Sequence, residues 1–349
     1  MREQASWPVP AAPPATPPPA APPPAAPSRA RLDLWTLLKR HGAPAALILL
    51  LALNAAVTRN FLSLQTLNVN LTQVAPIVIV AVGMTLVIAT GGIDLSVGSL
   101  MAIAGQLAPL VFMGTIVPAM WEPLAVGLGI ALSLAVVAGL GWLNGFVITR
   151  YRIQPIVATL VLFIAGRGIA QVMTNGNLQV FSAPGFEFLG RGRVLGIPFQ
   201  AVLMMAVVVG AAYALRRTLL GRQILAVGGN ARAARLAGVP VARVRRLVYV
   251  ISGLCAGIAG LVTIAINSAS DANLVGGGME LDAIAAVAVG GTLLSGGRAT
   301  IWGTLVGALI IQLVRTTLIA NGVPDAAALL VKAPLIVLAV WVQRQGPPA

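Results

Sequence analysis

The chain has 349 residues, of which 58% are hydrophobic and only 9% charged, and its mean hydropathy is +0.92. A soluble domain carries about 25% charged residues, so this composition excludes an ordinary soluble domain and indicates a membrane protein with several spans. The net charge of +14 would suit nucleic-acid binding in a soluble chain, but in a membrane protein basic residues mark the cytoplasmic loops.

The N-terminal part of the chain divides into two predicted segments. Residues 1–28 are almost entirely Pro and Ala, a composition typical of a disordered tail. Residues 29–43 predict a cytoplasmic amphipathic flank, with a short surface helix over residues 30–40. A transmembrane domain at 44–343, with a cytoplasmic loop at 216–246, and a C-terminal tail at 344–349 complete the predicted organisation.

Ten apolar segments of the chain are candidates for membrane-spanning helices, because a span needs about 20 mainly apolar residues. The predicted fold class is therefore all-α, a polytopic transmembrane helical bundle of about ten spans. The first and the eighth segments are short. The segments are 44–57, 71–89, 95–113, 124–143, 155–172, 199–215, 247–266, 281–294, 300–319 and 327–342.

The arginine-rich loop at 216–246 sets the predicted orientation. It carries eight arginines and no acidic residue, so the positive-inside rule places it in the cytoplasm. Counting the ten spans outward from this loop places both the N and the C terminus in the cytoplasm. Most acidic loop residues then fall outside, Glu280 among them, while Arg59, Arg191 and Arg193 are exceptions on the outer side.

Residues 91–100, GGIDLSVGSL, interrupt two apolar runs with a pair of glycines and an aspartate. A carboxylate at the bilayer centre costs about 2.5–3.5 kcal/mol, so a break in the helix at residues 90–92 is favoured over one continuous helix. Asp94 or Ser96 is then expected to cap the next helix in a tight hairpin at the cytoplasmic boundary. The alternative is a polar gate at the inner mouth.

A weak internal repeat accompanies this stretch, because residues 296–305 read GGRATIWGTL. Both copies fall at the cytoplasmic end of an outward-to-inward span, which indicates a parallel duplication. We also consider an ion pair between Asp94 and Arg298. The predicted inner-mouth residues are Gly91, Gly92, Asp94, Ser96, Gly296, Gly297 and Arg298.

Several amide side chains lie on the apolar segments. They suit a polyol passing through the membrane, and they suit hydrogen bonds between helices equally well. Charged residues are nearly absent deep in the predicted spans, which disfavours a proton or sodium relay. The candidate pathway residues are Asn68, Gln73, Gln106, Asn144 and Asn267.

The loop at 216–246 contains a predicted short helix over residues 231–237. Asn230 is a good N-cap, Gly238 a stop signal, and Pro240 follows just beyond. The helix is either part of a solvated basic loop or a docking helix for a soluble partner. The chain has no P-loop, so ATP, if it drives this protein, must be bound by another subunit.

Four stretches in order resemble the ribose-type sugar ABC importer permeases, relatives of the branched-chain amino-acid permease group. They are GMTLVIATGGIDLSVGSL from Gly83, LNGFVITRYRIQPIVATL from Leu143, AVGGNARAARLAGV from Ala226 and DAIAAVAVGGTLLSGGRATIWGTLVGALII from Asp282. The resemblance implies a homodimeric permease subunit of the bacterial inner membrane. Its implied partners are a periplasmic sugar-binding protein and a cytoplasmic ATPase that holds the ATP, with no cofactor on this chain.

The resemblance also implies that the segment after Gly229 is the part that docks the ATPase. The function expected is import of a monosaccharide such as ribose or xylose by alternating access, without enzymatic activity. The alternative is an ion-coupled secondary transporter of a small polar solute. The implied coupling residues are Gly229, Asn230, Ala233, Ala234, Arg235, Leu236, Gly238 and Val239.

Overall fold

The computed structural model describes residues 34–118 and 121–324, together with residues 327, 330 and 334. The chain divides after Arg40 into two units, and of the first only the start of one helix is described. The predicted tails at 1–28 and 344–349 lie outside the described residues, as does most of the tenth predicted span. The first helix begins at Leu34 rather than at Pro44 and contains Pro44.

The described residues form twelve helices and four two-residue strands. Strands β1 (Gln179–Val180) and β4 (Ala269–Ser270) pair antiparallel, as do β2 (Arg193–Val194) and β3 (Ile197–Pro198). The helices are α1 (Leu34–Val57), α2 (Leu64–Ala89), α3 (Val97–Phe112), α4 (Glu122–Tyr151), α5 (Pro155–Met173), α6 (Pro184–Arg191), α7 (Phe199–Arg217), α8 (Leu219–Gly229), α9 (Ala231–Leu236), α10 (Val241–Asn267), α11 (Met279–Val289) and α12 (Ile301–Ala320).

Within the described residues, six helices are long and apolar enough to cross a membrane: α2, α4, α5, α7, α10 and α12. Helix α3 and the apolar part of α1 are shorter, and α11 has only 11 residues. Each of the first nine predicted segments lies on a helix. The polytopic helical fold is therefore confirmed, whereas the number of ten spans stays a prediction.

Helix α2 is the centre of the bundle, with every residue from Val74 to Ala89 buried. It contacts α7, α10, α11 and α12. Gly83 lets α10 approach closely, because a Cβ atom there would lie 3.0 Å from the Cβ of Cys255. Such contacts between backbones are how helices associate in lipid, where apolar burial gives little driving force.

Glycines at four-residue spacing, Gly141 with Gly145 and Gly253 with Gly257, lie at the contact between α4 and α10. A Cβ atom on Gly145 would lie 2.7 Å from the Cα of Arg246, and one on Gly257 would lie 2.6 Å from a methyl carbon of Val137. Gly141 and Gly253 likewise face backbone carbonyls of the opposite helix. These glycines therefore serve packing, as the four-residue spacing indicates.

The two members of the internal repeat, α2–α3 and α11–α12, end their first helices with the same backbone geometry. The N–H of Gly91 (φ +79°) donates to the Ile88 carbonyl at 2.8 Å, and that of Gly291 (φ +80°) donates to the Ala288 carbonyl at 3.0 Å. A residue with positive φ is a common helix stop, and glycine adopts it without strain. Structurally, then, the counterpart of Gly91 is Gly291.

This equivalence corrects the alignment of the repeat around its paired glycines. The connector between α2 and α3 runs over residues 90–96, but that between α11 and α12 runs over residues 290–300. Gly296 and Gly297 belong to the longer part of the second connector and have no counterpart in the first. Because α11 already stops at Val289, the eighth predicted segment is also shorter than expected.

The loops gather at two ends of the bundle, and the ends differ in charge. One end holds the connectors 90–96 and 290–300 together with α8 and α9, and the other holds α6 and the four strands. At the second end, the Glu122 carboxylate accepts a hydrogen bond from the Gly185 N–H at 3.3 Å, and Glu187 pairs with Arg191 at 3.3 Å. The arginine-rich segment 216–246 belongs to the first end.

Candidate functional site

Three glycine pairs from distant parts of the chain meet at the arginine-rich end of the bundle. We call this contact the glycine junction: Gly91–Gly92, Gly228–Gly229 and Gly296–Gly297. The N–H of Gly297 donates to the Ala89 carbonyl at 3.0 Å. A Cβ atom on Gly228 would overlap that carbonyl oxygen and lie 2.5 Å from the Gly297 nitrogen. The junction therefore joins backbone to backbone, with no room for side chains at its centre.

The predicted short helix of the arginine-rich loop follows the junction directly. Helix α9 is capped as expected, since the Asn230 side-chain oxygen accepts from the Arg232 and Ala233 N–H groups, each at 3.0 Å. Gly238 ends it with φ +81°. Helix α8, which connects α7 to α9 through the junction, was not predicted. Its pattern of Leu, Ile and Val residues is the feature of the sequence from which this helix could have been predicted.

Helix α9 is anchored on one side and open on the other. Ala234 is buried, while the Leu236 side chain is 90% exposed. Arg232 and Arg235, on the same short helix, are exposed as well. Of the other predicted coupling residues, Gly229, Asn230, Ala233 and Gly238 are exposed and Val239 is half-buried. The open side of α9 therefore presents Leu236 between exposed arginines.

Asp94 is fully buried beside the junction and holds three parts of the structure together. Its Oδ1 accepts hydrogen bonds from the Ser96 hydroxyl at 2.6 Å and the Ser96 N–H at 3.0 Å. Its Oδ2 accepts from the Ser252 hydroxyl of α10 at 2.8 Å. The Ser96 oxygen in turn accepts from the Asn144 amide of α4 at 3.0 Å. We call these four residues the Asp94 network.

The network corrects two predictions about Asp94. Ser96 occupies the N-cap position of α3, but its side chain makes no cap bond, and Asp94 accepts a hydrogen bond from the N–H of Ser96 rather than one from the first turn of α3. The proposed ion pair with Arg298 is also wrong, since Arg298 is exposed at the surface and no ion pair joins the two. The connector folds inward against α10, so its carboxylate finds partners inside the bundle.

Further hydrogen bonds fix the connector 90–96 to α5 and α10. The Tyr249 hydroxyl donates to the Ile93 carbonyl at 3.3 Å, and the Leu95 N–H donates to the Thr159 hydroxyl oxygen at 3.2 Å. Helix α9 leads directly into α10, so it is connected to residues 90–96 in two ways. One connection is the glycine junction, and the other is the Asp94 network on α10.

The candidate pathway residues do not converge on one site. Asn144 belongs to the Asp94 network, and Gln106 is fully buried with no hydrogen-bond partner among the described residues. Gln73 accepts a hydrogen bond from the Gln312 amide of α12 at 2.9 Å. Gln73 and Asn68 also line a cavity of about 380 Å³ at the end opposite the junction, and Asn267 is exposed at the end of α10.

Charged residues lie deeper in the bundle than the sequence indicated. Glu280, predicted outside, is buried at the start of α11, and Arg167 stands half-buried within α5. Arg315 lies within α12. The half-buried position of Arg167 could have been inferred from the sequence, because it is a single arginine inside an otherwise apolar segment. The near-absence of buried charge therefore no longer counts against an ion-coupled mechanism.

Comparison with known proteins places the chain in a family. The family described as "Branched-chain amino acid transport system / permease component" matches residues 67–340. The galactofuranose transporter permease protein of Escherichia coli (strain K12) is 43% identical over 79% of this chain and 78% of its own length. No solved structure shows a significant match.

Two further relatives cover nearly the whole chain. The ribose import permease protein of Escherichia coli (strain K12) is 40% identical over 86% of this chain and 92% of its own length. That of Bacillus subtilis (strain 168) is 39% identical over 90% of this chain and 96% of its own length. The chain is a multi-pass protein of the bacterial inner membrane and belongs to the family of branched-chain amino acid transport system permease components.

Proposed function

We propose that the chain is the membrane-spanning permease subunit of an ATP-driven importer for a monosaccharide. The relatives named for ribose and galactofuranose support the substrate class. The observation that carries the mechanism is α9, an exposed helix seated directly on the glycine junction. A partner that grips α9 thereby acts on both connectors of the internal repeat at once.

The proposed assembly contains two copies of this chain, a cytoplasmic ABC ATPase and a periplasmic sugar-binding protein. ATP is bound by the ATPase subunit, and this chain performs no covalent chemistry and needs no cofactor. The predicted domain boundaries, 1–28, 29–43, 44–343 and 344–349, are part of the proposal. The choice of sugar is assigned to the binding protein.

In this mechanism α9 transmits the closure of the ATPase to the membrane helices. Its one buried side chain, Ala234, and the contact of Gly228, at the end of the preceding helix α8, with Ala89 hold it against the bundle. Motion of α9 displaces the connector 90–96 and, through Ser252, changes its position relative to α10. Alternating access then results from rearrangement of helices that share these contacts.

The proposed topology has ten spans and both termini in the cytoplasm. The charge difference between the two ends supports it, since the segment 216–246 is rich in arginine while Glu122 and Glu187 lie at the opposite end. Arginine retained on the cytoplasmic side is the general rule for membrane proteins.

Labelling from each side of the membrane tests this topology. We expect Arg235→Cys, made together with Cys255→Ala, to react with an impermeant maleimide in inside-out vesicles and not in right-side-out ones. The control Arg193→Cys, on the exposed β2–β3 hairpin, should give the reverse pattern. The same pattern for both thiols, or the opposite one, contradicts the orientation.

The docking role of α9 is tested with two exposed leucines at opposite ends of the molecule. Leu236 is 90% exposed on α9, and Leu195 is 97% exposed on the β2–β3 hairpin. Burying a leucine in an interface contributes about 1.5–3 kcal/mol, and each 1.4 kcal/mol is about tenfold in affinity. We expect Leu236→Asp to reduce co-purification of the ATPase about tenfold and Leu195→Asp to leave it unchanged.

Uptake of ribose, galactofuranose, arabinose and fructose by vesicles containing the complete importer completes the test. ATP-dependent uptake of one of these sugars, lost in Leu236→Asp, supports the proposal. Uptake that persists without the ATPase and collapses when ion gradients are removed supports the ion-coupled alternative instead, which the buried Asp94 and Glu280 make worth testing.

A further inference from the structure

Helix α5 carries a charged side chain well inside a membrane-spanning segment. The helix is apolar and long enough to cross the membrane. Arg167 lies roughly 18 Å along it from Pro155, at 1.5 Å of rise per residue. Its side chain is half-buried. Intramembrane arginines face protein or water rather than lipid, so this side of α5 needs an explanation.

Part of the Arg167 side chain has a structural role. Its Nη1 donates to the carbonyl oxygens of Ala272 and Val275, both at 2.6 Å. These carbonyls belong to the turns between α10 and α11, which reach in between α3 and α5. Val275 touches the position of Gly105 on α3. Backbone outside helices is tolerated at this depth only where it is buried in protein or lines a water-filled cavity.

Further polar side chains lie beyond Arg167, toward the outer end of α5. Gln171, one turn beyond Arg167 on the same face, donates from its amide to the Asn273 side-chain oxygen at 2.8 Å, in an exposed position. Glu280 is close enough for its charge to act on Arg167, and its Oε2 has no hydrogen-bond partner in the described part of the chain. The other exposed side chains of α5 are mainly apolar, including Val161, Ile164 and Val172.

We propose that the face of α5 bearing Arg167 and Gln171 lines an aqueous path for a neutral, polyhydroxylated solute. Guanidinium and amide N–H donors with amide and carboxylate acceptors match hydroxyl groups, which both donate and accept. The apolar face of α5 around Val172 contacts lipid. This inference rests on the proposed function and assigns the part of the chain that the sugar passes.

Thiol accessibility tests the path without knowledge of the sugar. The change Cys255→Ala removes the single cysteine of the chain. Gln171→Cys is then compared with Val172→Cys in membranes that contain the complete importer. The two positions are adjacent, so they lie at the same depth but about 100° apart around the helix. The probes are an anionic and a cationic methanethiosulfonate reagent, which react with thiolate in contact with water.

We expect the thiol of Gln171→Cys to react at least about tenfold faster than that of Val172→Cys, because thiolate forms only where water reaches it. Adding Arg167→Gln should lower the rate of Gln171→Cys with the anionic reagent by about threefold and raise its rate with the cationic reagent by about the same factor, the effect of one charge at about 6 Å in water. The preference for the anionic reagent should therefore fall by about tenfold. A guanidinium group that does not face the same water as residue 171 would leave this preference unchanged.

Equal rates at the two positions, or an unchanged reagent preference in Arg167→Gln, would overturn the proposal. Uptake by the Cys255→Ala parent separates this failure from failure of the proposed function. If the Cys255→Ala protein imports sugar but the thiol of its Gln171→Cys derivative does not react, the sugar passes along another part of the chain. A parent that imports none of the four sugars contradicts the importer itself.

Discussion

Gly228→Ala should strongly reduce sugar uptake while leaving the protein in the membrane. The added methyl group would overlap the Ala89 carbonyl oxygen and lie 2.5 Å from the Gly297 nitrogen, both of them backbone atoms that cannot rotate away. Overpacking of this kind costs about 1–3 kcal/mol. The strain falls on the contact through which α8 and α9 meet the connectors of both repeat copies.

A glycine outside the junction provides the matched control. A Cβ atom on Gly210 of α7 would have no other atom within 4 Å, and its φ is not positive. Gly210→Ala carries the same change in chain composition away from the coupling segment. We therefore expect its uptake and its ATPase association to equal those of the unaltered protein.

Three measurements decide this prediction: the amount of protein in the membrane, ATPase co-purification and ATP-dependent uptake. We expect Gly228→Ala to reduce uptake more than about tenfold, the factor that corresponds to 1.4 kcal/mol. Normal uptake by Gly228→Ala, or equal loss in Gly210→Ala, would show that the glycine junction does not transmit motion.

Asp94→Ala should destabilise the protein by about 2–4 kcal/mol, because it leaves buried donors of Ser96 and Ser252 without acceptors. The carboxylate accepts three hydrogen bonds, from one N–H and two hydroxyl groups, and the residue is fully buried. An alanine side chain restores none of them. The lost hydrogen bonds are those that hold the connector 90–96 together and attach it to α10.

Asp94→Asn separates hydrogen bonding from charge at this position. The amide oxygen can accept both bonds from Ser96, and the amide N–H₂ can donate to the Ser252 oxygen. We expect Asp94→Asn to keep most of the stability and Ser252→Ala to lose about 1 kcal/mol, the value of a single hydrogen bond. Thermal unfolding of the detergent-solubilised protein measures all three. If Asp94→Asn is as damaging as Asp94→Ala, the network depends on the charge and not on its geometry.

The helices and their approximate ends followed from local chemistry. Apolar runs of the right length predicted nine segments that lie on helices, because a lipid-spanning backbone must satisfy its hydrogen bonds within the helix. The stop at Gly91 and the cap of α9 by Asn230 were also predicted, because such signals depend on only a few neighbouring residues.

The partners of individual polar residues did not follow from the sequence. Asp94 was expected to cap α3 and instead binds Ser252, far away in the chain. Glu280 was expected in a loop on the outer side of the membrane, and its side chain is buried at the start of α11. In both places the backbone between two helices folds inward, and which side chain it meets there depends on helices that are remote in sequence.

The sequence by itself determined the membrane class, the family resemblance and the short capped helix α9, because composition, hydrophobic length and capping residues act over short distances. Only the tertiary structure decided that Gly91, Gly228 and Gly296 touch, that the true counterpart of Gly91 is Gly291, and that Arg167 and Glu280 share one region. Helix packing brings these backbone segments and single charges together. The sequence contains no periodic pattern that shows which helices become neighbours.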